Sequence, residues 1–138
     1  MAINKSKSIK HNGSKLFVFE KDQNFSFLGK RLFIIFGKRG QTRGLHAHRK
    51  HNQYLICVNG ECEVTLDNGH EIKKVILKSP EIGIEIKAMT WSKQVYKKKD
   101  TKILVLCDHT FKERDYIRDY LIFKKIVNEK KKKKNLIY

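Results

Sequence analysis

The chain has 138 residues, 40% of them apolar, which is enough for one domain with its own core. Lys and Arg number 31 against 14 acidic residues, a net charge of +17. No apolar run approaches the roughly 18 residues of a membrane span. No RNA- or DNA-binding motif accompanies the charge, so nucleic acid is not an expected partner and the excess reads as a basic, anion-preferring surface. Met1–Lys10 is polar and lysine-bearing, without the apolar centre of a secretory signal, and a cytoplasmic location is expected. Cys57, Cys62 and Cys107 form no CxxC pair and read as reduced, buried thiols.

Along the chain, short alternating segments separated by turn residues predict an all-β sandwich or barrel. Lys15–Glu20 is strand-like, with Leu16 and Val18 on one face. Arg31–Phe36 is a continuous apolar run, the length of a buried strand. Gly37–Gly44 is a basic, glycine-bearing loop, and His46 and His48 beyond it share one face because side chains alternate. Tyr54–Val58 and Glu61–Leu66 flank Asn59-Gly60, a hairpin signal. Asp67-Asn68-Gly69 is the next tight turn. Strands are expected at Ile72–Leu77, Gly83–Ala88 and Thr101–Cys107, with Pro80–Gly83 turning between two of them. The period then becomes helical: Tyr116, Tyr120, Phe123 and Val127 predict a helix over 113–127 packing on the β-structure. There is one Pro and neither a repeat nor a linker, so residues 1–128 read as a single domain and 129–138 as a basic, disordered tail.

Several residues could carry chemistry. His46 and His48 on one strand face suit general acid/base work, since imidazole titrates near neutral pH. Their bland reading is a hydrogen-bonded pair in a polar interior. Arg43 beside Gly44, with Arg49 and Lys50, could grip a diphosphate, or could be ordinary surface charge. Gln53 could hydrogen-bond a sugar hydroxyl or orient a histidine. Trp91 could stack on a base or sugar, or could pack in the core.

The spacing Gly40-x5-His46-x-His48-x4-Gln53-x6-Gly60 resembles the first motif of a cupin, a jelly-roll β-barrel, with Gln53 where metal-binding cupins carry Glu. The second stretch, Ser79–Tyr96, contains no histidine to complete a metal shell, so no metal and no cofactor are expected. More specifically, Arg43-Gly-Leu-His-Ala-His-Arg-Lys, Gln53, Leu66-Asp-Asn-Gly69 and Glu113-Arg-Asp-Tyr-Ile-Arg-Asp-Tyr-Leu-Ile-Phe123 resemble the sugar 3,4-ketoisomerases. The resemblance covers about residues 12–125. It implies a metal-free cupin with a short C-terminal helix, a homodimer with an exchanged N-terminal strand, and catalysis by His46 and His48. It also implies a dTDP-linked 4-keto-6-deoxy sugar as substrate, on a route to a 3-amino-3,6-dideoxy sugar. Phe33 and Ile34 stand where relatives often carry a strand tyrosine, and Ser92 replaces a frequent histidine. A metal-dependent cupin enzyme, a 3,5-epimerase-like cupin and a non-catalytic binding cupin remain as other readings.

Overall fold

The computed structural model describes residues 2–21 and 29–136. One five-stranded sheet contains, in spatial order, β1 (Ala2–Lys5), β9 (Ile82–Ile86), β6 (Gln53–Asn59), β11 (Thr101–Cys107) and β4 (Arg31–Gly37). The second contains β12 (Tyr116–Ile117), β5 (Thr42–His48), β10 (Trp91–Tyr96), β7 (Cys62–Asp67) and β8 (Ile72–Leu77). A separate hairpin joins β2 (Lys7–His11) to β3 (Ser14–Val18). All pairings are antiparallel, and the architecture is the expected all-β jelly roll with one C-terminal helix, though built as two sheets and not as a closed barrel among the described residues. The core lies between the two sheets. Leu55, Cys57, Ile84, Ile103 and Val105 face Cys62, Val64, Leu66, Leu77 and Tyr96. All three cysteines are free and buried, and burial pushes the Cys57 thiol up to about 11 and Cys62 up to about 12.

Five sequence expectations change in the fold. Asn59-Gly60 does not close a hairpin: β6 and β7 lie in different sheets, and the turn carries the chain across the sandwich. Gly60 has φ +82°, and a Cβ there would meet Thr101 Oγ1 at 2.4 Å, so the corner is docked on β11. The Arg31–Phe36 run is buried on one face only. Phe33 and Ile35 pack on the core, whereas Leu32, Ile34 and Phe36 are 56%, 55% and 75% exposed. The helix α1 spans Tyr120–Asn135 instead of 113–127. Tyr116 and Ile117 are diverted into β12, paired with His48 and Ala47, and Asp119 caps the helix by accepting from the Ile122 N–H at 3.1 Å. Of the stretch expected as a disordered tail, residues 129–135 are instead the last turns of α1, where lysines tolerate helix well and suit the negative end of its dipole, and 137–138 lie outside the described residues. Finally, β10 was not among the strands expected, although it is the middle strand of its sheet. No helix among the described residues is long and apolar enough to cross a membrane.

Candidate active site

The histidine strand is shaped by a bulge. Ser92 pairs with His46 while Lys93 pairs with Gly44, so Leu45 is the extra residue on β5. Gly44 and Leu45 both have positive φ, +82° and +56°. A Cβ on Gly44 would sit 2.9 Å from the Ser92 carbonyl oxygen, so only glycine fits without displacing β10. Beyond the bulge normal alternation resumes, and His46 and His48 share a face with ring centroids 5.0 Å apart, edge to face.

Each imidazole is fixed by a different partner. His46 Nδ1 lies 3.0 Å from the Gly44 carbonyl oxygen, which can only accept, so Nδ1 carries the proton and Nε2 is the basic nitrogen. His48 Nδ1 lies 2.9 Å from Asp115 Oδ2. Asp115 is buried, and its other oxygen accepts the Lys50 backbone N–H at 2.8 Å. Burial opposes ionisation of this carboxyl, but the Lys50 N–H, His48 and His51 outweigh it and hold its pKa below the usual range. A carboxylate on Nδ1 leaves Nε2 of His48 as the free base. That Nε2 is buried with no hydrogen-bond partner among the described residues.

Burial, and then the neighbouring His48, lower the His46 pKa to about 4. Burial also lowers that of His48, with Asp115 pulling the other way. Both rings are therefore neutral at neutral pH. Tyr116 packs on both, its ring 4.9 Å from His46 and 4.4 Å from His48. Arg118 stacks on the far side of Tyr116 at 4.2 Å and is held by a bidentate pair to Glu113, 2.7 and 3.0 Å.

A cavity of about 550 Å³ opens at His46 and Tyr116. Arg31, Arg43 and Arg118 supply its positive wall, and Gln53 and Gln94 its neutral polar floor. Of the residues expected from sequence, His46, Arg43 and Gln53 line this space, with His48 directly behind His46. Gln53 also points its Nε2 at Cys107 Sγ, 3.5 Å away. Arg49 and Lys50 do not join the cavity. They follow the end of β5 and open onto a second space behind Asp115. Trp91 does not join it either, but packs against Tyr120 and Phe123 under α1. Sequence reasoning missed Asp115, Arg31, Gln94 and Arg118, and took Tyr116 for helix packing. The one signal for Asp115 and Arg118 lay in the Glu113–Phe123 motif itself.

His48, His51 and Asp115 bring three ligand-type atoms within 4.8 Å of one another. The surrounding Arg49, Lys50, Lys112 and Arg114 oppose a cation there. The trio reads better as a carboxylate held between two imidazoles.

Two sheets of jelly-roll form, with a histidine pair and an arginine-walled cavity, define a cupin-type fold with a candidate active site. Residues 1–128 match the family model described as FdtA: WxcM-like, C-terminal, and the chain belongs to that family. It is 39% identical over 126 residues to the TDP-4-oxo-6-deoxy-alpha-D-glucose-3,4-oxoisomerase of Aneurinibacillus thermoaerophilus, covering 91% of this chain and 90% of that protein. Among solved structures it is similar to the TDP-fucose-3,4-ketoisomerase WlaRA of Campylobacter jejuni, 35% identical, TM-score 0.84, covering 93% of this chain and 96% of that one. It is also similar to the sugar 3,4-ketoisomerase QdtA of Thermoanaerobacterium thermosaccharolyticum, solved in complex with TDP. That match is 30% identical, TM-score 0.86, covering 94% and 95% of the two chains. These relatives are isomerases.

Proposed function

We propose that this protein is a metal-independent sugar 3,4-ketoisomerase acting on a dTDP-linked 4-keto-6-deoxyglucose, and that His48 and His46 divide its proton transfers. The observation that carries this reading is the tautomer the two rings share. Asp115 holds the Nδ1 proton of His48, and the Gly44 carbonyl holds that of His46, which leaves two basic Nε2 atoms on rings 5.0 Å apart.

The C3–H of the substrate is acidified by the C4 ketone. His48 Nε2 removes that proton, the C3–H electron pair becomes the C3=C4 bond, and negative charge moves to O4. The resulting imidazolium is stabilised by Asp115, which stays ionised. His46 Nε2, which starts without a proton, takes the proton of O3–H and returns it to O4. The enediolate pair then collapses: C3=O forms, and C4 takes the proton back from His48. The net change is an isomerisation with no redox partner. The cavity meets His46 and Tyr116 first, so bound substrate must part these two rings to reach His48 Nε2. Arg43 and Arg31 are suited to the diphosphate, and binding energy gained there orients C3 against the base.

The product is suited to amination at C3, and we infer a route to a 3-amino-3,6-dideoxy sugar, run in the cytoplasm. We also propose a homodimer, in which β1 exchanges and pairs with the partner's copy of β9 in the register seen within one chain. The direct test is NMR of dTDP-4-keto-6-deoxyglucose with the protein in deuterated water. The carbonyl carbon should move from C4 to C3. No change in the sugar under conditions where TDP binds overturns the reading.

A further inference from the structure

We propose that the cavity behind Asp115 is a second site, for a phosphate-type oxyanion, separate from the substrate cavity. It has a volume of about 420 Å³ and shares no lining residue with the cavity at His46. Arg49, Lys50, His51, His109, Lys112 and Arg114 surround it.

The charge around it is uncompensated. Arg49, Lys50, Lys112 and Arg114 form no ion pair among the described residues, whereas other cations do, such as Lys73 with Glu71 and Arg118 with Glu113. The carboxylates that could serve them are committed elsewhere. Asp115 accepts from His48 and the Lys50 N–H and lies 3.2 Å from His51 Nδ1. Asp108 accepts from His109 at 2.7 Å and from the backbone and side chain of Asn52 at 2.8 and 2.7 Å. Glu113 is the bidentate partner of Arg118. Four cations converging on one concavity with every nearby anion spent leave a site whose missing component is an anion.

The back wall has the right chemistry. His51 and His109 stack face to face, centroids 4.4 Å apart and 2° from parallel. His51 is only 7% exposed, and its Nδ1 is 3.2 Å from Asp115 Oδ2. Burial lowers the His51 pKa, and His109 and Lys112 add to that, against Asp115 and Asp108. An oxyanion in the cavity reverses the balance and favours the imidazolium, giving a fifth charged donor. The site is thus wired through Asp115 to the Nδ1 of His48.

The experiment is histidine-resolved NMR of the full chain titrated with inorganic phosphate, against potassium chloride at matched ionic strength. Saturable shifts of the His51 and His109 ring protons are expected, larger than those of His46, with an upward move of the His51 titration. The Lys112→Ala/Arg114→Ala variant should lose roughly tenfold or more in phosphate affinity while turning over nucleotide sugar as before. Arg43→Ala should bind phosphate here unchanged. Glycerol 2-phosphate separates the sources: equal binding assigns the site to any phosphoryl group, weaker binding to the free ion. Shifts no larger than with chloride, or phosphate binding lost in Arg43→Ala and kept in the Lys112/Arg114 variant, overturn the proposal.

Discussion

Asp115 decides which nitrogen of His48 can act as a base. Without it the buried ring has no preference between tautomers, and half of the molecules would offer an N–H where a lone pair is needed. His48→Asn is therefore expected to lose roughly 10² to 10⁴ in turnover, the usual worth of a general base. Asp115→Asn should lose a comparable amount, with TDP affinity kept in both, as calorimetry can check. Wild-type TDP affinity with wild-type turnover in Asp115→Asn sinks the positioning role. The lowered histidine pKa values set the pH window. His46 is held near 4 against an ordinary 6.5, and His48 is lowered too, so both bases stay neutral below pH 6.5. The acid limb of the kcat/KM profile should fall below 6.5, and a limb at or above that value counts against neutral bases. The stability sign follows from the same shift. Between pH 6.5 and about 4 the unfolded chain binds a proton at His46 that the folded one refuses, so stability is full above 6.5 and declines as pH falls toward 4.

At the scale of elements, one bulge and one short strand build the site. The Gly44–Leu45 bulge aims His46, and β12 lays Asp115 and Tyr116 along the end of β5. Gly44→Ala adds a Cβ against the Ser92 carbonyl and forces a left-handed residue to carry a side chain. It should cost about 1–2 kcal/mol or more in stability and lower turnover by moving His46, read by thermal unfolding and kinetics together. Unchanged stability would show that the bulge is not required. The end of α1 behaves oppositely. Its buried residues are Phe123 and Val127, and every described residue beyond them is exposed. Deleting residues 130–138 should leave the unfolding midpoint within the range of an ordinary surface change, about 0.5 kcal/mol. A loss of several times that would place the lysine turns in the fold's support.

For the molecule as a whole, β4 is the informative strand. It lies at a sheet edge and leaves Leu32, Ile34 and Phe36 open to solvent, a stripe that a lone domain seldom exposes. Two of these residues also border the substrate cavity, so a partner covering the stripe would sit at its mouth. Light scattering should give twice the 16.3 kDa chain mass, and Leu32→Lys should shift it toward the monomer. A wild-type monomer at micromolar concentration rejects the dimer. The metal-free reading is testable at this scale too. Gln53 is a neutral ligand turned toward Cys107, and the residue paired with His46 across the sheet is Ser92. Chelator-treated protein should keep its turnover. Stoichiometric zinc, iron or manganese whose removal abolishes activity would sink the metal-free reading.

Local patterns were enough to place what depends on neighbours in the chain. The alternating segments, the HAH pair on one face, Gln53 in place of a carboxylate and the missing third histidine all follow from spacing, because strand geometry turns spacing directly into direction. The family motif around Glu113–Phe123 was also legible, though its conformation was not. Helical periodicity covers Tyr116 as well as Tyr120, and only pairing with His48 and Ala47 pulls Tyr116 into a strand. Asn59-Gly60 likewise has the same local chemistry in a hairpin and in a corner between sheets; contact with Thr101 selects the corner. The separation of Arg43 from Arg49 and Lys50 was beyond any local rule. These residues lie close together on the chain, but Arg43 lines the cavity at His46, whereas Arg49 and Lys50 line the one that also holds Asp115. Spacing determined which side chains could do chemistry; the long-range pairing of β12 with β5 decided which of them share a site.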